Sequence, residues 1–329
     1  MWSDKPRVVH AQAMVIRAIS AGPTEVLIVG VAHLNAGVPS SALEAGLRIL
    51  ERWAPDVVAV ERIPGHLVEQ YERRGGAFAD FPVSGAPAAR HAAATVASQR
   101  SWDVWQARRI ATDPDRSLND RVLGWLLARE PCNALLLPWE QAQLPTGAVA
   151  ALADLAGSPS EVVRVGVALA RALGHSEVAH FDDHAGVSLL EHFPSDWSET
   201  VEDFQAAAIA RLDSPPGSGN IDSNTWMVWE NAATPAFRHW AEEVESRAMA
   251  MADGDAVHSG VLRARHGQWR SRNLAMAARL REATMTIPGG RLVAIVGSSH
   301  ERPLRAALSV DQHDLRLTAI ADVQQQFSA

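Results

Sequence analysis

The chain has 329 residues, of which 47% are hydrophobic, and a formal net charge of -8 at pH 7. A chain this rich in apolar residues can bury a sizeable core, which argues against wholesale disorder. The negative charge argues against a general nucleic-acid-binding protein, because affinity for phosphate rests on clustered Lys and Arg.

Cysteine content and hydropathy exclude further classes of protein. The single cysteine, Cys132, excludes an internal disulfide and a multi-cysteine zinc site, and we expect it to be a small core residue. No apolar run approaches the roughly 20 residues needed to span a bilayer. Charged residues interrupt positions 1–22, so the apolar region of a signal peptide is missing there. The expected location is cytoplasmic, with no membrane partner.

Two segments near opposite ends of the chain have the same construction. In residues 25–33 and in residues 291–300 an aliphatic run stops at a glycine, and a histidine follows three positions later, at His33 and His300. Such runs are typical of strands buried on both faces of a parallel sheet. Each histidine would then lie just past the carboxyl end of its strand, where open α/β sheets place their ligand sites. Two strand ends are therefore predicted to bring two imidazoles to one place.

The chain between these segments is mostly helical in pattern. A helix from about residue 40 leads to a second buried strand at 56–60, which ends at Glu61. This β-α-β spacing fits a right-handed parallel crossover, so Glu61 is predicted to follow a strand that neighbours the His33 strand. A short strand is predicted near 177–182 and a last strand at 315–320. The helical stretches are 101–110, 118–129, 158–173, 195–212, 225–252, 267–286 and 302–308.

Two stretches have no such pattern. Residues 65–97 are rich in Gly, Ala and charge and receive no firm assignment, and residues 135–137 fit a short strand or the buried side of a turn. Residues 214–224 contain the clearest loop, either a plain surface connection or a lid.

Strands thus cluster at both ends of the chain. This distribution predicts one α/β domain over residues 1–329, with a central, mainly parallel sheet built from both ends. A large helical insertion is predicted at about 98–285, interrupted by the strand near 177–182.

His33, His300 and Glu61 are the first candidates for chemistry. Neutral imidazole is the commonest metal ligand and a natural general base near neutral pH. Two His and one Glu match a common catalytic set for a divalent metal, here Mn, Co or Zn, with positions left for water. The alternative is that each His satisfies a turn and that Glu61 pairs with Arg62 at the surface.

Arg272 lies on the predicted helix that leads to the His300 strand. Its guanidinium is a candidate clamp for a substrate carboxylate or for an oxyanion, and a solvated helix charge is the alternative. Asn273 and Arg62 are grouped with it as candidate substrate-binding residues.

The segment 180–184 holds the densest cluster of possible metal ligands: His180, Asp182, Asp183 and His184. The two histidines would share a face only in a helix, whereas the preceding residues fit a strand. We expect Asp182 or Asp183 to support the site from behind its ligands, or to cap a helix.

Segments 55–62 (PDVVAVER) and 291–304 (RLVAIVGSSHERPL) resemble the Tiki/TraB/PrgY and erythromycin-esterase/ChaN-like superfamily. The resemblance covers about a quarter of the chain. It implies an α/β fold whose repeated βα units meet in a central cleft, with His33, Glu61, Arg272 and His300 as site residues. Tiki-like members are metal-dependent peptidases, erythromycin-esterase-like members activate water with a His and no obligatory metal, and ChaN-like members bind haem. We expect neither a secretory signal nor a membrane anchor, and in this the chain would depart from Tiki.

The leading hypothesis is a soluble hydrolase that cleaves an amide or ester bond of a peptide or small molecule. His33, His300 and Glu61 would bind a divalent metal or deprotonate the attacking water, and Arg272 would hold an oxyanion or a substrate carboxylate. The alternatives are a metal-independent esterase with a histidine base, and a protein that binds a peptide or haem in the same cleft. A haem cofactor is not expected, and a homodimer is allowed but not required.

Overall fold

The computed structural model describes residues 22–31, 34, 38, 40–76, 86–191, 197–213, 235–252 and 256–327. Its centre is a five-stranded parallel sheet. The strands β1 to β5, in chain order, are Thr24–Val31, Val57–Val60, Ala179–His180, Arg291–Gly297 and Leu315–Thr318. In space they run in the order β3-β2-β4-β1-β5. The predicted α/β class and the parallel sheet built from both ends of the chain are confirmed.

The two similar segments of the sequence lie side by side. Strands β1 and β4 pair in parallel from Glu25 opposite Arg291 to Val31 opposite Gly297. The prediction that the Glu61 strand neighbours β1 is wrong, because β4 lies between β1 and β2 and pairs with both. Strands that follow each other in the chain need not be neighbours when a later strand inserts between them. Glu61 therefore follows the strand next to the His300 strand.

Helices cover both faces of the sheet. The α-helices α1 to α13, in chain order, are Ser40–Trp53, Gly65–Arg74, Ala86–Val96, Val104–Thr112, Leu118–Leu127, Pro131–Ala134, Thr146–Ala156, Ala168–Ala172, Trp197–Ile209, Pro235–Met251, Ala256–Thr284, Ser298–Ser309 and Ile320–Phe327. A π-helical segment, Val162–Val167, leads into α8, and 3-10 segments span Trp139–Gln141 and Ala185–Leu190.

Several of these elements differ from the prediction. Helix α11 begins at Ala256, not near 267, because Gly260 and Gly267 weaken the helical pattern of its first turns. Helix α12 begins at Ser298, directly after β4, not near 302, and Pro303 lies inside it. Residues 65–97 contain α2 and α3, and residues 135–137 form a turn after α6. The predictions for residues 214–224 lie outside the described residues.

Alternate residues of each central strand enter two different cores. One core contains Leu27, Val29 and Ile295 with helices of the first half of the chain, and the other contains Ile28 and Val296. The second core is completed by helices α11 and α12, through Met276, Leu280, Leu304 and Leu308. This alternation is what a strand covered on both faces requires, and it fixes α11 against the sheet.

Cys132 is buried in the first core, with 2% of its surface exposed, as expected of a small core residue. No helix within the described ranges combines the length and the apolar character that crossing a membrane would require.

A polar group around the buried Glu130 and Asn133, which we call the support cluster, ties the start of α2 to the start of β3. It consists of Arg108, Glu130, Asn133 and Glu177. The Glu130 carboxylate accepts hydrogen bonds from the Gly65 N–H at 3.1 Å, from the Asn133 amide at 3.2 Å and from the Arg108 guanidinium. Arg108 also pairs with Glu177 at 2.8 Å, and the Asn133 Oδ1 accepts from the Val178 N–H at 2.7 Å.

Candidate functional site

Polar side chains from three neighbouring strands meet at one edge of the sheet. Glu61 follows β2, Asp182 and His184 follow β3, and His300 lies in the first turn of α12 after β4. Parallel strands place all their carboxyl ends at the same edge, where open α/β sheets bind ligands. Helix α11 brings Arg272 to this edge. We call these five residues the site cluster.

Arg272 lies at the centre of the site cluster. Its Nε and Nη2 donate to the two oxygens of Asp182 at 2.8 and 3.0 Å, and Nη2 also donates to Glu61 Oε1 at 2.8 Å. Burial by itself lowers the pKa of Arg272, but the two carboxylates outweigh it and raise that pKa above its usual value. Arg272 is therefore a fixed buried cation and not a solvated helix charge. Its predicted role as a substrate clamp stays a prediction.

Glu61 is buried, with 6% of its surface exposed, so the alternative of a surface pair with Arg62 is wrong. Its Oε2 accepts from the Gly297 N–H at 2.7 Å, and its Oε1 lies 3.4 Å from His300 Nε2. Burial raises the pKa of Glu61, but His300 and Arg272 outweigh burial and hold that pKa below its usual value. The carboxylate is thus ionised at neutral pH and held by N–H donors.

His300 is held in one tautomer by Asn273. The Asn273 Nδ2 donates to the Trp269 carbonyl at 2.7 Å, which turns Asn273 Oδ1 towards His300 Nδ1 at 2.7 Å. Because this oxygen can only accept, Nδ1 carries the hydrogen, and Nε2 of the neutral ring keeps its lone pair. Burial lowers the pKa of His300 below its usual value, although Glu61 opposes this. His300 is therefore a neutral imidazole whose lone pair is on Nε2.

Asp182 and His184 complete the other side of the site cluster. His184 Nε2 lies 3.1 Å from Asp182 Oδ2, so Nε2 donates to the carboxylate. Burial raises the pKa of Asp182, but His184 and Arg272 outweigh burial and hold that pKa far below its usual range. The site cluster thus runs His300, Glu61, Arg272, Asp182, His184, with an imidazole at each end.

Asp183 supports the site cluster without joining it. Its Oδ1 accepts from the Tyr71 hydroxyl at 2.8 Å and from the Ala185 N–H at 2.9 Å, and Arg279 lies 3.5 Å from Oδ2. The Tyr71 oxygen in turn accepts from the His184 N–H at 3.1 Å. Sequence reasoning missed Tyr71, which is the only tyrosine of the chain. Its single occurrence on the first helix after Glu61 was the only available signal.

Arg62 and His180 lie elsewhere. Together with Cys132 their side chains line a different cavity, and His180 Nδ1 donates to the Ile63 carbonyl at 3.2 Å. None of the five site-cluster residues lines that cavity. The prediction that Arg62 binds substrate stays a prediction.

His33 lies outside the described residues, so the predicted metal set of His33, Glu61 and His300 stays a prediction. Among the residues that the structure does describe, no group of three His, Cys, Asp or Glu side chains is placed to hold a metal ion. Both Glu61 oxygens already accept from N–H donors, and the Arg272 guanidinium would repel a divalent cation there. The described residues alone therefore do not fit a divalent metal at Glu61 and His300.

Comparison with known proteins adds no relative. No protein-family model, no curated protein and no solved structure matches this chain. The superfamily resemblance of the motifs stays a prediction, and the site must be interpreted from its own geometry.

Proposed function

We propose that the protein is a hydrolase that cleaves an ester or amide bond, with His300 as the general base that activates water. The observation that carries this proposal is the fixed tautomer of His300. A neutral, buried imidazole with its lone pair on Nε2, beside an ionised carboxylate, is the arrangement that proton abstraction needs.

The first step is attack of water on the carbonyl carbon. His300 Nε2 takes one proton from water, and the oxygen left behind forms a bond to the carbonyl carbon. The imidazolium that results lies 3.4 Å from Glu61 Oε1, so the carboxylate stabilises the charge as it forms. Glu61 does not have to move, because Gly297 and Arg272 already hold both of its oxygens.

The second step is collapse of the tetrahedral intermediate. The proton on His300 passes to the leaving alkoxide or amine, the C–O or C–N bond breaks, and an acid and an alcohol or amine leave. Arg272 donates hydrogen bonds to the carboxylates of Asp182 and Glu61 through Nε and Nη2. We assign Nη1, which makes no hydrogen bond recorded among the described residues, to the developing oxyanion.

Metal dependence is the competing form of this proposal. It would add His33 and a divalent ion to Glu61 and His300, as the dispersed motif predicts. Because the positive Arg272 lies against Glu61, we favour the metal-independent form, which routes every step through groups that the structure describes.

The test is hydrolysis of p-nitrophenyl esters and of chromogenic peptide amides before and after exhaustive chelation. We expect turnover to survive chelation and to gain little from added Mn, Co or Zn. His300→Gln should lower kcat by about 10²–10⁴-fold, the usual contribution of a general base. His313→Gln, which changes an exposed histidine, is the matched control and should have no effect.

Other outcomes of this test would support a competing hypothesis or exclude the proposed base. Activity that is lost on chelation and restored by one metal would establish the metal-dependent form. Absence of all turnover, with visible absorption on haem titration, would instead support the binding protein. Full turnover in His300→Gln would exclude His300 as the base.

A further inference from the structure

Helix α11 continues beyond the site cluster towards its own N-terminus, away from the residues that pack on the sheet. One turn before Asn273 it presents Trp269, whose ring lies 4.2 Å from the His300 ring at an angle of 30°. One turn earlier still, the Arg265 guanidinium carbon lies 5.5 Å from the centre of the Trp269 ring. Guanidinium, indole and catalytic imidazole therefore form one continuous surface.

Arg265 differs from the other half-buried arginines of α11 in what it contacts. Each of those, Arg272, Arg279 and Arg281, lies within 3.5 Å of a carboxylate oxygen. Arg265 instead donates from Nη1 to the neutral Gln268 Oε1 at 2.8 Å. Throughout the described ranges of the chain, no carboxylate forms an ion pair with it. Its positive charge is thus only partly compensated.

The electrostatic environment of Arg265 agrees with this picture. Burial lowers the pKa of Arg265, and the positive charge of Arg272 lowers it further, while Glu245 opposes both. Glu245 forms no ion pair with Arg265 in the described part of the chain, and its Oε1 accepts a hydrogen bond from Gln205 at 2.7 Å. A half-buried cation in this position is stabilised by an anion that arrives from outside.

We infer that Arg265 and Trp269 form a subsite for a carboxylate group of the substrate. The inference rests on the proposed function, since it places the bond to be cleaved at His300. The carboxylate would bind the Nε and Nη2 donors of Arg265, and a short aliphatic spacer would lie on the indole face. The substrate class is therefore an ester or amide of a dicarboxylic acid, or a short peptide with an acidic end.

The choice of a carboxylate follows from shape as well as charge. The planar fork of a guanidinium matches a carboxylate in a bidentate pair. Gln268 takes a donor of Nη1, so the Nε and Nη2 donors remain side by side as one planar fork for a small planar anion. Arg272 does not offer the same fork, because two carboxylates of the protein already accept from its Nε and Nη2.

The first test compares two esters that differ by one terminal carboxylate, p-nitrophenyl butyrate and the p-nitrophenyl half-ester of glutaric acid. We expect the wild type to prefer the half-ester by about tenfold in kcat/KM, because hydrogen bonds to charged groups contribute about 1.5–3 kcal/mol. Arg265→Gln and Arg265→Met should each abolish the preference by raising KM for the half-ester, with kcat and the neutral ester unchanged. Arg263→Gln, which changes an exposed arginine of the same helix that contacts Ser259, should keep it.

A second test measures binding without turnover. Calorimetric titration with 3-phenylpropionate and with its neutral amide should detect the acid only, and Arg265→Gln should lose that binding. Equal rates for the two esters and equal binding of acid and amide in the wild type would overturn the subsite. Binding of the acid with no hydrolysis of either ester would keep the subsite and refute the proposed function. If one Arg265 variant fails to fold, the other gives the same comparison.

Discussion

The site cluster and the support cluster are two solutions to one electrostatic problem. Each buries a glutamate, Glu61 or Glu130, against an arginine and a backbone N–H. The support cluster then ends at the main-chain N–H groups of Gly65 and Val178, which start α2 and precede β3. The site cluster ends instead at two imidazoles.

The difference shows that buried charge alone does not identify a functional site. Amide and guanidinium N–H groups keep their protons near neutral pH. A carboxylate that accepts only from such groups can therefore only position its neighbours. A carboxylate beside a neutral imidazole can stabilise a charge that comes and goes. The site cluster has this second property, because His300 Nε2 faces Glu61. The predictions below separate the two clusters on this basis.

The largest effect is expected from a matched pair of substitutions, Glu61→Gln and Glu130→Gln. Both oxygens of each carboxylate accept hydrogen bonds from N–H donors. In each variant the glutamine NH2 group would face one of these donors, and the neighbouring arginine would lose the negative charge that balances it. Both variants should lose about 3 kcal/mol in the free energy of unfolding. Only Glu61→Gln should also lower kcat, by about 10³-fold, because it removes the charge beside the imidazolium.

Urea unfolding and turnover at a concentration corrected for the folded fraction measure the two quantities. Loss of kcat in Glu130→Gln as large as in Glu61→Gln would abolish the distinction between the clusters.

Asp182→Asn should change how stability depends on pH. The pKa of Asp182 in the folded protein lies far below its usual range. Its stabilisation is therefore present above the unfolded-state value of about 3.9 and is lost as pH falls towards the folded-state value. The variant should be less stable by about 3 kcal/mol at pH 7, and the gap to the wild type should narrow at pH 3.

Urea midpoints at pH 7, 5 and 3 provide the measurement. Asp154→Asn, at an exposed position of α7, is the control and should follow the wild type. A gap that stays constant over this range would show that Asp182 is not ionised in the folded protein.

Asn273→Ala should impair His300 without removing it. The substitution releases Nδ1, so the imidazole would populate both tautomers and lose its orientation against Trp269. Loss of such an orienting partner costs about 10–100-fold in activity, and we expect that loss in kcat with KM little changed. Steady-state kinetics on one ester measure it. An unchanged kcat would mean that another group sets the tautomer.

Tyr71→Phe should have the smallest effect. The hydroxyl bonds Asp183 and the His184 N–H behind the site cluster, but it touches none of the groups that move protons in the proposed mechanism. We expect a loss of about 1–2 kcal/mol in the free energy of unfolding, the usual result of leaving a buried group unpaired, with kcat close to that of the wild type. Thermal unfolding and turnover together check it, and a large drop in kcat would move Tyr71 into the chemistry.

Local patterns in the sequence predicted which residues lie at this site better than they predicted the contacts between those residues. The aliphatic runs before His33 and His300 identified β1 and β4, because a strand buried on both faces needs an apolar residue at nearly every position. Glu61 and Arg272 were likewise identified from their places on predicted elements. The contacts that give these residues their properties join distant segments: Asp182 lies 90 positions from Arg272, and Asn273 lies 27 from His300. No local period predicts such pairs.

The prediction of strand order was wrong for a related reason. The β-α-β pattern around residues 30–60 placed β2 beside β1, because crossover units usually join neighbours. The insertion of β4 between them depends on how α11 packs against the sheet through Met276 and Leu280. Two glycines in the first half of α11, Gly260 and Gly267, also obscured where that helix begins. Arg265 is in this half, so its position beside Trp269 became visible only in three dimensions.

The place of β1 in the sheet has a consequence for synthesis of the protein. Both of its neighbours, β4 and β5, come from the last part of the chain, and the Arg291 side chain pairs with Glu25 across 266 positions. At about 5–20 residues per second, roughly tens of seconds separate translation of β1 from translation of its first partner. During that time β1 is an apolar strand with two unpaired edges on the ribosome, and such a strand is a binding segment for chaperones. The activity that we propose could begin only after His300 has left the exit tunnel.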